Sequence, residues 1–485
     1  MMSQLRAQSL RLWMLLQAWP RAVLVAGLAV AIVAFLRNEL HITVGRTPFW
    51  WTWYDQGRYL VSAFALAAGD LNSAQHHYPI GYALAAAPFT HLFRHDPFVI
   101  IDLLCLAGSL WAFVRLGEIL GVPRIIAVAL FLATSVFTHS ILLHYVIPWT
   151  TTPTTFLILT GLMLGFLPPT YYRALLLGLI PGLIVLTKPV DAIALVPLAF
   201  YYAIACLRAP PGAMAQHAHT LRLFAMGLAG LATGLAIAGF GHWLVNGWAL
   251  SQYEAETTHG TVFVLRSLPY KLYSLFVDPA VIYGNYLDTE GIFARYPWVF
   301  VGVCGMILMS VRDWRLATLA LATAVYVAMY AAYYDMMPNS LWHYNSIHYY
   351  TWCFPIFGLF AFLLARRLLT RPSTTDAVIV FLASVLLLAW RPVLKPVAAM
   401  AVFDGQTSAS IQLSKDEVPM VIDLDGKITD KGHVYSGRVK VRWAGLDLMP
   451  GHDTRAIPTP SGARVLLMRP KNGRSLTISW ADIGV

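Results

Sequence analysis

Charge is scarce in this chain. Only 12% of its 485 residues are Asp, Glu, Lys or Arg and 58% are hydrophobic, whereas an average soluble domain has roughly 25% charged residues. That deficit excludes a soluble globule. Cysteine is scarcer still: Cys105, Cys206, Cys304 and Cys353 all fall inside apolar blocks, so neither a disulfide framework nor zinc-ligand spacing is present. No internal repeat is apparent, nor an inverted pair of broken apolar segments such as a transporter carries. The amino end has Arg6, Arg11 and Arg21 before an apolar run but no small-residue cleavage site before Arg37. This predicts an uncleaved first span rather than a signal peptide.

What the chain has instead is apolar blocks, at 22–36, 97–116, 124–143, 152–167, 173–187, 190–207, 221–245, 297–311, 315–332, 349–365 and 376–390. They predict a mainly α membrane protein with about 11 transmembrane helices. Segment 79–93 is too short to span and is expected as a juxtamembrane helix in the first outer loop, 38–95. Lys188-Pro189 breaks the chain between 173–187 and 190–207, which are either two spans or one long kinked helix. Of the 58 charged residues, 20 lie in the last 82 positions. A membrane region, 1–402, is therefore followed by a small water-exposed one, 403–485. That tail alternates at period two in Val418-Met420-Ile422-Leu424, Val439-Val441-Trp443 and Leu476-Ile478-Trp480, with Asp425-Gly426 and Asn472-Gly473 as turn signals, and predicts a small C-terminal β domain.

The net charge of +10 does not point to nucleic acid. With the amino end inside, the inner connectors hold Arg115 and Arg124, Arg173, Arg208 and Arg222, Arg312 and Arg315, and Arg366, Arg367 and Arg371. This is the positive-inside pattern, with membrane lipids as the partners of the cations. Segments 38–95, 246–296 and 333–349, and the tail, then face outward. Abundant Ala, Leu and Arg with little Lys suggests a bacterial inner membrane and a periplasmic outer face.

The first outer loop places a carboxylate among aromatic rings: Phe49-Trp50-Trp51-Thr52-Trp53-Tyr54-Asp55-Gln56-Gly57-Arg58-Tyr59-Leu60. Rings of this kind also serve as anchors at headgroup level. A carboxylate beside a bilayer is costly unless paired or at work, and Arg58, three residues on, shares a helical face with Asp55. Farther along come Gly69-Asp70 and then His76-His77-Tyr78-Pro79-Ile80-Gly81-Tyr82. An Asp in an aromatic outer loop just after the first span, a helix ending in Gly-Asp, and a His/Tyr-Pro-x-Gly-Tyr start to a juxtamembrane helix resemble the GT-C superfamily of polytopic glycosyltransferases. Protein mannosyltransferases and aminoarabinose transferases are members. Here Asp55 is followed by Gln56 where several members have Asp-Glu, and Tyr78-Pro79 follows His77 where protein mannosyltransferases have His-Pro-Pro.

The resemblance implies inverting, metal-independent transfer of a sugar from a polyprenyl-phosphate-linked donor to a glycan, lipid or protein acceptor, without a cofactor. The chemistry also follows from the residues. An acceptor hydroxyl attacking an anomeric carbon needs a base, and Asp55 fits that role. The leaving lipid phosphate is already a stable anion and needs cationic or hydrogen-bonding clamps more than a strong acid. Candidate donor-binding residues are Arg58, His77 and Tyr78 in the first loop and Arg266 and Lys271 in the second. The third loop supplies His343, His348 and Tyr349, with His348-Tyr349 standing where GT-C relatives often have Arg-Tyr. Arg266 and Lys271 could equally meet lipid headgroups. Glu254 and Glu256 could bind acceptor hydroxyls or face solvent, and Lys188 and Asp191 read first as a local ion pair and second as donor-pocket lining. A transporter or flippase for a lipid-linked saccharide is the alternative function class; it would use the same aromatics and cations and would need a polar path through the spans.

Overall fold

The computed structural model describes residues 20–44, 54–207, 214–251, 253–255, 268–277, 291–333, 347–371 and 373–389, together with strands between 399 and 478. The chain divides into two compact units: Met1–Glu256 with Val301–Tyr326 and Ile347–Val380, and Thr257–Phe300 with Val327–Ser346 and Phe381–Val485.

The protein is mostly helical, and each of the eleven apolar blocks is helix. The helices are α1 (Pro20–Val44), α2 (Tyr54–Ala67), α3 (Gly81–Ala86), α4 (Val99–Ile119), α5 (Arg124–Phe131), α6 (His139–Val146), α7 (Thr151–Phe166), α8 (Tyr171–Thr187), α9 (Val196–Leu207), α10 (Met214–Asn246), α11 (Leu268–Phe276), α12 (Ile292–Arg295), α13 (Pro297–Ser310), α14 (Trp314–Ala332), α15 (Cys353–Thr370) and α16 (Thr374–Ala389). Among the described residues, five are long and apolar enough to cross a membrane. The count is six if the pair Arg124–Val136 and His139–Val146, bent by 82°, is one span. The remaining blocks form helices of 10–17 residues. Segment 79–93 gives only the six residues of α3 and a 3-10 turn, Ala87–Phe89.

The break at Lys188 is a hairpin. Lys188 is extended, a 3-10 turn runs over Pro189–Leu195, and Ala174 of α8 shares a core cluster with Tyr202 of α9 and Leu223 of α10. Two helices, rather than one kinked one, follow from that return. Glycines let α8 and α10 approach backbone to backbone: a Cβ on Gly178 would fall 2.0 Å from the Gly227 carbonyl oxygen, and one on Gly230 2.0 Å from that of Leu175. Close small-residue packing is how apolar helices associate when lipid removes the hydrophobic difference between them.

Three of the arginine-bearing connectors meet. Arg115 and Arg124 both bind Glu118, Arg315 donates to the Ile119 carbonyl at 3.2 Å and Arg366 to that of Gly121 at 2.8 Å, and Asp376 takes Arg312 and Arg367. Helix α4 runs from Val99, beside the first outer loop, to this cluster. Its 21 residues span ~30 Å at the helical rise, about a hydrocarbon core.

Beyond residue 398 the described backbone is strand: β1 (Ala399–Val402), β2 (Ser408–Leu413), β3 (Met420–Ile428), β4 (Tyr435–Trp443), β5 (Leu446–Asp447), β6 (Val465–Arg469) and β7 (Arg474–Ile478). They pair in the orders β1-β6-β7 and β2-β3-β4-β5. Asp425-Gly426, expected as a turn, lies inside β3 with Asp425 opposite Arg438 and Gly426 opposite Gly437, so the ladder on either side overrides the local turn preference. Asn472-Gly473 lies outside the described residues, between the antiparallel strands β6 and β7.

Candidate functional site

Asp55 stands in the first turn of α2, where a carboxylate complements the helix dipole. The helix is fixed from behind. Gln56, buried, donates its amide to the Pro148 carbonyl at 3.1 Å, and Tyr59 pairs with the Thr150 hydroxyl at 3.4 Å. At its far end Gly69, at φ 74°, turns the chain out of the helix, a conformation that favours glycine. The return is pinned by His76, whose ring bonds the Ser62 hydroxyl at 2.8 Å and the Asp70 carbonyl at 2.9 Å. Histidine 76 thus ties both ends of the Gly-Asp turn, and brings the next two residues back over the start of α2.

Tyr78 donates its hydroxyl to Asp55 Oδ1. Its ring packs against Tyr59 at 5.0 Å and Tyr253 at 5.1 Å, and His77 meets Tyr54 edge-on at 5.5 Å. Helix α3 is moored by Tyr82, which donates to both carboxylate oxygens of the fully buried Asp102 at 2.8 Å. This explains an acidic residue within α4, one of the helices long and apolar enough to cross a membrane: it anchors α3. Glycine 81 then permits contact with the end of α8, since a Cβ there would lie 2.7 Å from the Leu186 carbonyl oxygen and 2.9 Å from Thr187 Oγ1. The next residue after Thr187 is Lys188.

Lys188 is the cation that serves this site. Its ammonium lies over the Tyr349 ring, 4.2 Å from the centroid, a cation–π contact, and attracts Asp55. Tyr349 packs on His348 at 4.0 Å, and His348 stacks on Trp149 at 3.8 Å with 14° between planes. Asp191, fully buried, accepts from Tyr326 at 3.0 Å and from the Thr154 hydroxyl. Asp55, Tyr78, Lys188 and Tyr349 are half-buried, whereas Gln56, Tyr59, His77, Trp149, Asp191, Tyr326 and His348 behind them are buried or nearly so. Reactive groups are reachable while their supports are shielded.

Burial pushes the Asp55 carboxyl above the usual carboxylate range, partly offset by the Tyr78 hydrogen bond and by the charges of Lys188 and His77. Burial likewise lowers Lys188 from the usual amine range, opposed by the attraction of Asp191 and Asp55. Burial and the neighbouring Asp55 charge push the Tyr78 phenol far up, so it stays a donor.

Of the residues expected from sequence, Asp55, His77, Tyr78, His348 and Tyr349 come together. Arg58 does not pair with Asp55 among the described residues. It shares the helical face of Tyr54 as well, and its guanidinium sits over that ring at 5.3 Å. Arg266 and His343 lie outside the described residues, as do Trp50, Trp51 and Trp53, and of Lys271 only the helical backbone is described, in α11. Glu254 bonds the Ser251 backbone and hydroxyl at 2.8 and 2.9 Å, capping its own turn. Trp149, stacked on His348, carried no sequence signal beyond its place in an apolar stretch.

Comparison of the chain with protein-family models and with curated proteins returns no match. The chemistry of the site therefore rests on its own geometry: a half-buried carboxylate, held by a phenol and faced by an ammonium, in a wall of aromatic rings.

Proposed function

We propose that the protein is a GT-C-type glycosyltransferase that moves a sugar from a polyprenyl-phosphate donor to an acceptor hydroxyl at the outer face of a bacterial inner membrane. The observation that carries this reading is the convergence of Asp55, Tyr78 and Lys188. In the reaction the acceptor oxygen forms a bond to the anomeric carbon and its proton passes to Asp55, while the bond from that carbon to the phosphate oxygen breaks and its electron pair leaves with the lipid phosphate. Lys188 clamps the phosphate, His348 backs the Tyr349 ring, and Tyr349 and Tyr78 offer ring faces to the sugar. Asp55 needs no more than this to act, because the departing phosphate is stable as an anion and one fixed cation stabilises it further.

The apolar helices supply the membrane domain in this reading, the arginine cluster marks its cytoplasmic end, and the strands beyond residue 398 form a small periplasmic β domain. The test is turnover of purified protein with a polyprenyl-phosphate sugar. Asp55→Asn is expected to lose transfer by a factor of at least ~10² while lipid-donor binding survives. Retained transfer in a folded Asp55→Asn protein would sink the assignment, and movement of the lipid across vesicles without transfer would point to a flippase instead.

A further inference from the structure

Asp191 is a buried acid whose place the transfer chemistry leaves unexplained. It follows Lys188 by one 3-10 turn, its backbone N–H donating to the Lys188 carbonyl at 3.1 Å, and it is fully buried. Both carboxylate oxygens are held, one by Tyr326 of α14 at 3.0 Å and the other by Thr154 of α7. Three separate elements therefore converge to fix one carboxylate a single turn from Lys188, whose ammonium it attracts. Such an arrangement is expensive unless the charge has a cation to serve, because an ionised carboxylate taken out of water loses several kcal/mol of solvation, on the order of what a well-placed partner returns.

We propose that Asp191 is a positioning residue for the donor phosphate: anchored by Tyr326 and Thr154, it holds the Lys188 side chain against the Tyr349 ring and keeps it charged, and so sets the upper pH at which the site retains an anionic lipid. The inference rests on the proposed role of Lys188 as phosphate clamp. The titratable groups around the pair are Asp55, Tyr59, Tyr78 and His77 from the first outer loop, Tyr326 from α14, and His348, Tyr349 and Cys353 from the start of α15. Asp55 and Asp191 are the acids among them. Asp55 must release its share of Lys188 when a phosphate arrives, whereas Asp191, fully buried and held at both carboxylate oxygens, need not. That asymmetry is what makes Asp191 the lasting counter-charge. Burial disfavours the charged amine, and attraction to Asp191 is the leading influence against it.

The experiment measures binding to the full-length protein of a polyprenyl methyl phosphodiester, a probe whose single negative charge does not titrate between about pH 6 and about pH 9. Asp191→Asn preserves the shape of the carboxylate and removes its charge. It is expected to bind the probe as the unmodified protein does near pH 6 and at least about tenfold more weakly near pH 9, a tenfold change corresponding to one pK unit. Asp191→Glu restores the alkaline affinity. Lys188→Arg, whose guanidinium stays charged throughout, retains binding near pH 9 with or without Asp191 and is read even if Asp191→Asn fails to fold. An affinity that falls equally at both pH values in Asp191→Asn, or that does not fall, overturns the proposal. So does a Lys188→Arg protein that loses affinity between the two pH values. If the unmodified protein binds no probe, the phosphate-clamp reading fails and this inference with it; if it binds and Asp191→Asn keeps its alkaline affinity, only this inference fails.

Discussion

Asp55 and Lys188 are displaced toward each other in acidity, the carboxyl upward and the amine downward, and each must be charged for the chemistry proposed. The sign of the pH dependence follows. Asp55 accepts a proton only when ionised, so transfer rises as pH passes up through its raised value. Lys188 clamps phosphate only when protonated, so transfer falls as pH passes up through its lowered value. A bell-shaped profile for kcat/KM is expected, with both limbs closer to neutrality than free Asp and Lys would give. Tyr78→Phe sharpens the test: removing a hydrogen bond to a charged group costs about 1.5–3 kcal/mol, should lower kcat/KM near neutral pH and should move the acid limb upward. An acid limb that stays in place in Tyr78→Phe would show that the phenol does not tune Asp55. Arg58 shows why spacing alone misleads at this scale. Three residues from Asp55, it is also four from Tyr54, and the ring takes its guanidinium. Lys188, more than a hundred positions away in sequence, read first as one half of a local pair and only second as lining of the donor pocket.

At the scale of elements, the hairpin of α8 and α9 and its packing on α10 decide where Lys188 sits. Gly178 and Gly230 allow contact that no side chain fits, while Gly239 on the same helix as Gly230 has nothing within 4 Å of where a Cβ would stand. Gly178→Leu is therefore expected to destabilise the protein by at least 1–3 kcal/mol, the order of overpacking a closed contact, with a lower thermal transition in detergent. Gly239→Leu should be within about 0.5 kcal/mol of the unmodified protein. Equal behaviour of the two would contradict the packing argument. The helices themselves were legible in the sequence, because hydrophobic blocks force helix wherever backbone polar groups must be satisfied internally. Their ends were legible as well: blocks 173–187 and 297–311 match α8 and α13 to within two residues. What the hydrophobic pattern did not show is the break inside block 124–143, where a π-turn over Leu132–Val136 precedes the 82° bend. That segment 79–93 is too short to span was legible from its length, but the mooring of α3 through Tyr82 to Asp102 and through Gly81 to the end of α8 arises from contacts between distant segments that no local pattern encodes.

In the whole molecule, the first unit has the Asp55 and Lys188 group at one end and arginines at the other. Helix α15 begins just after His348 and Tyr349 and ends at Arg366 and Arg367, as α4 begins near Tyr82 and ends beside Arg315. The scarcity of charge between these ends is what made Asp55 conspicuous in the sequence. A donor with a long isoprenoid chain suits that separation, its tail in the apolar region and its phosphate at the aromatic end. The most direct measurement is a cryo-electron-microscopy map of the full-length protein with a polyprenyl-phosphate sugar bound. The account predicts phosphate density against Lys188, with the sugar between Asp55 and the Tyr349 ring. Lipid density whose phosphate lies away from Lys188 and Asp55, in a protein active in transfer, would contradict it.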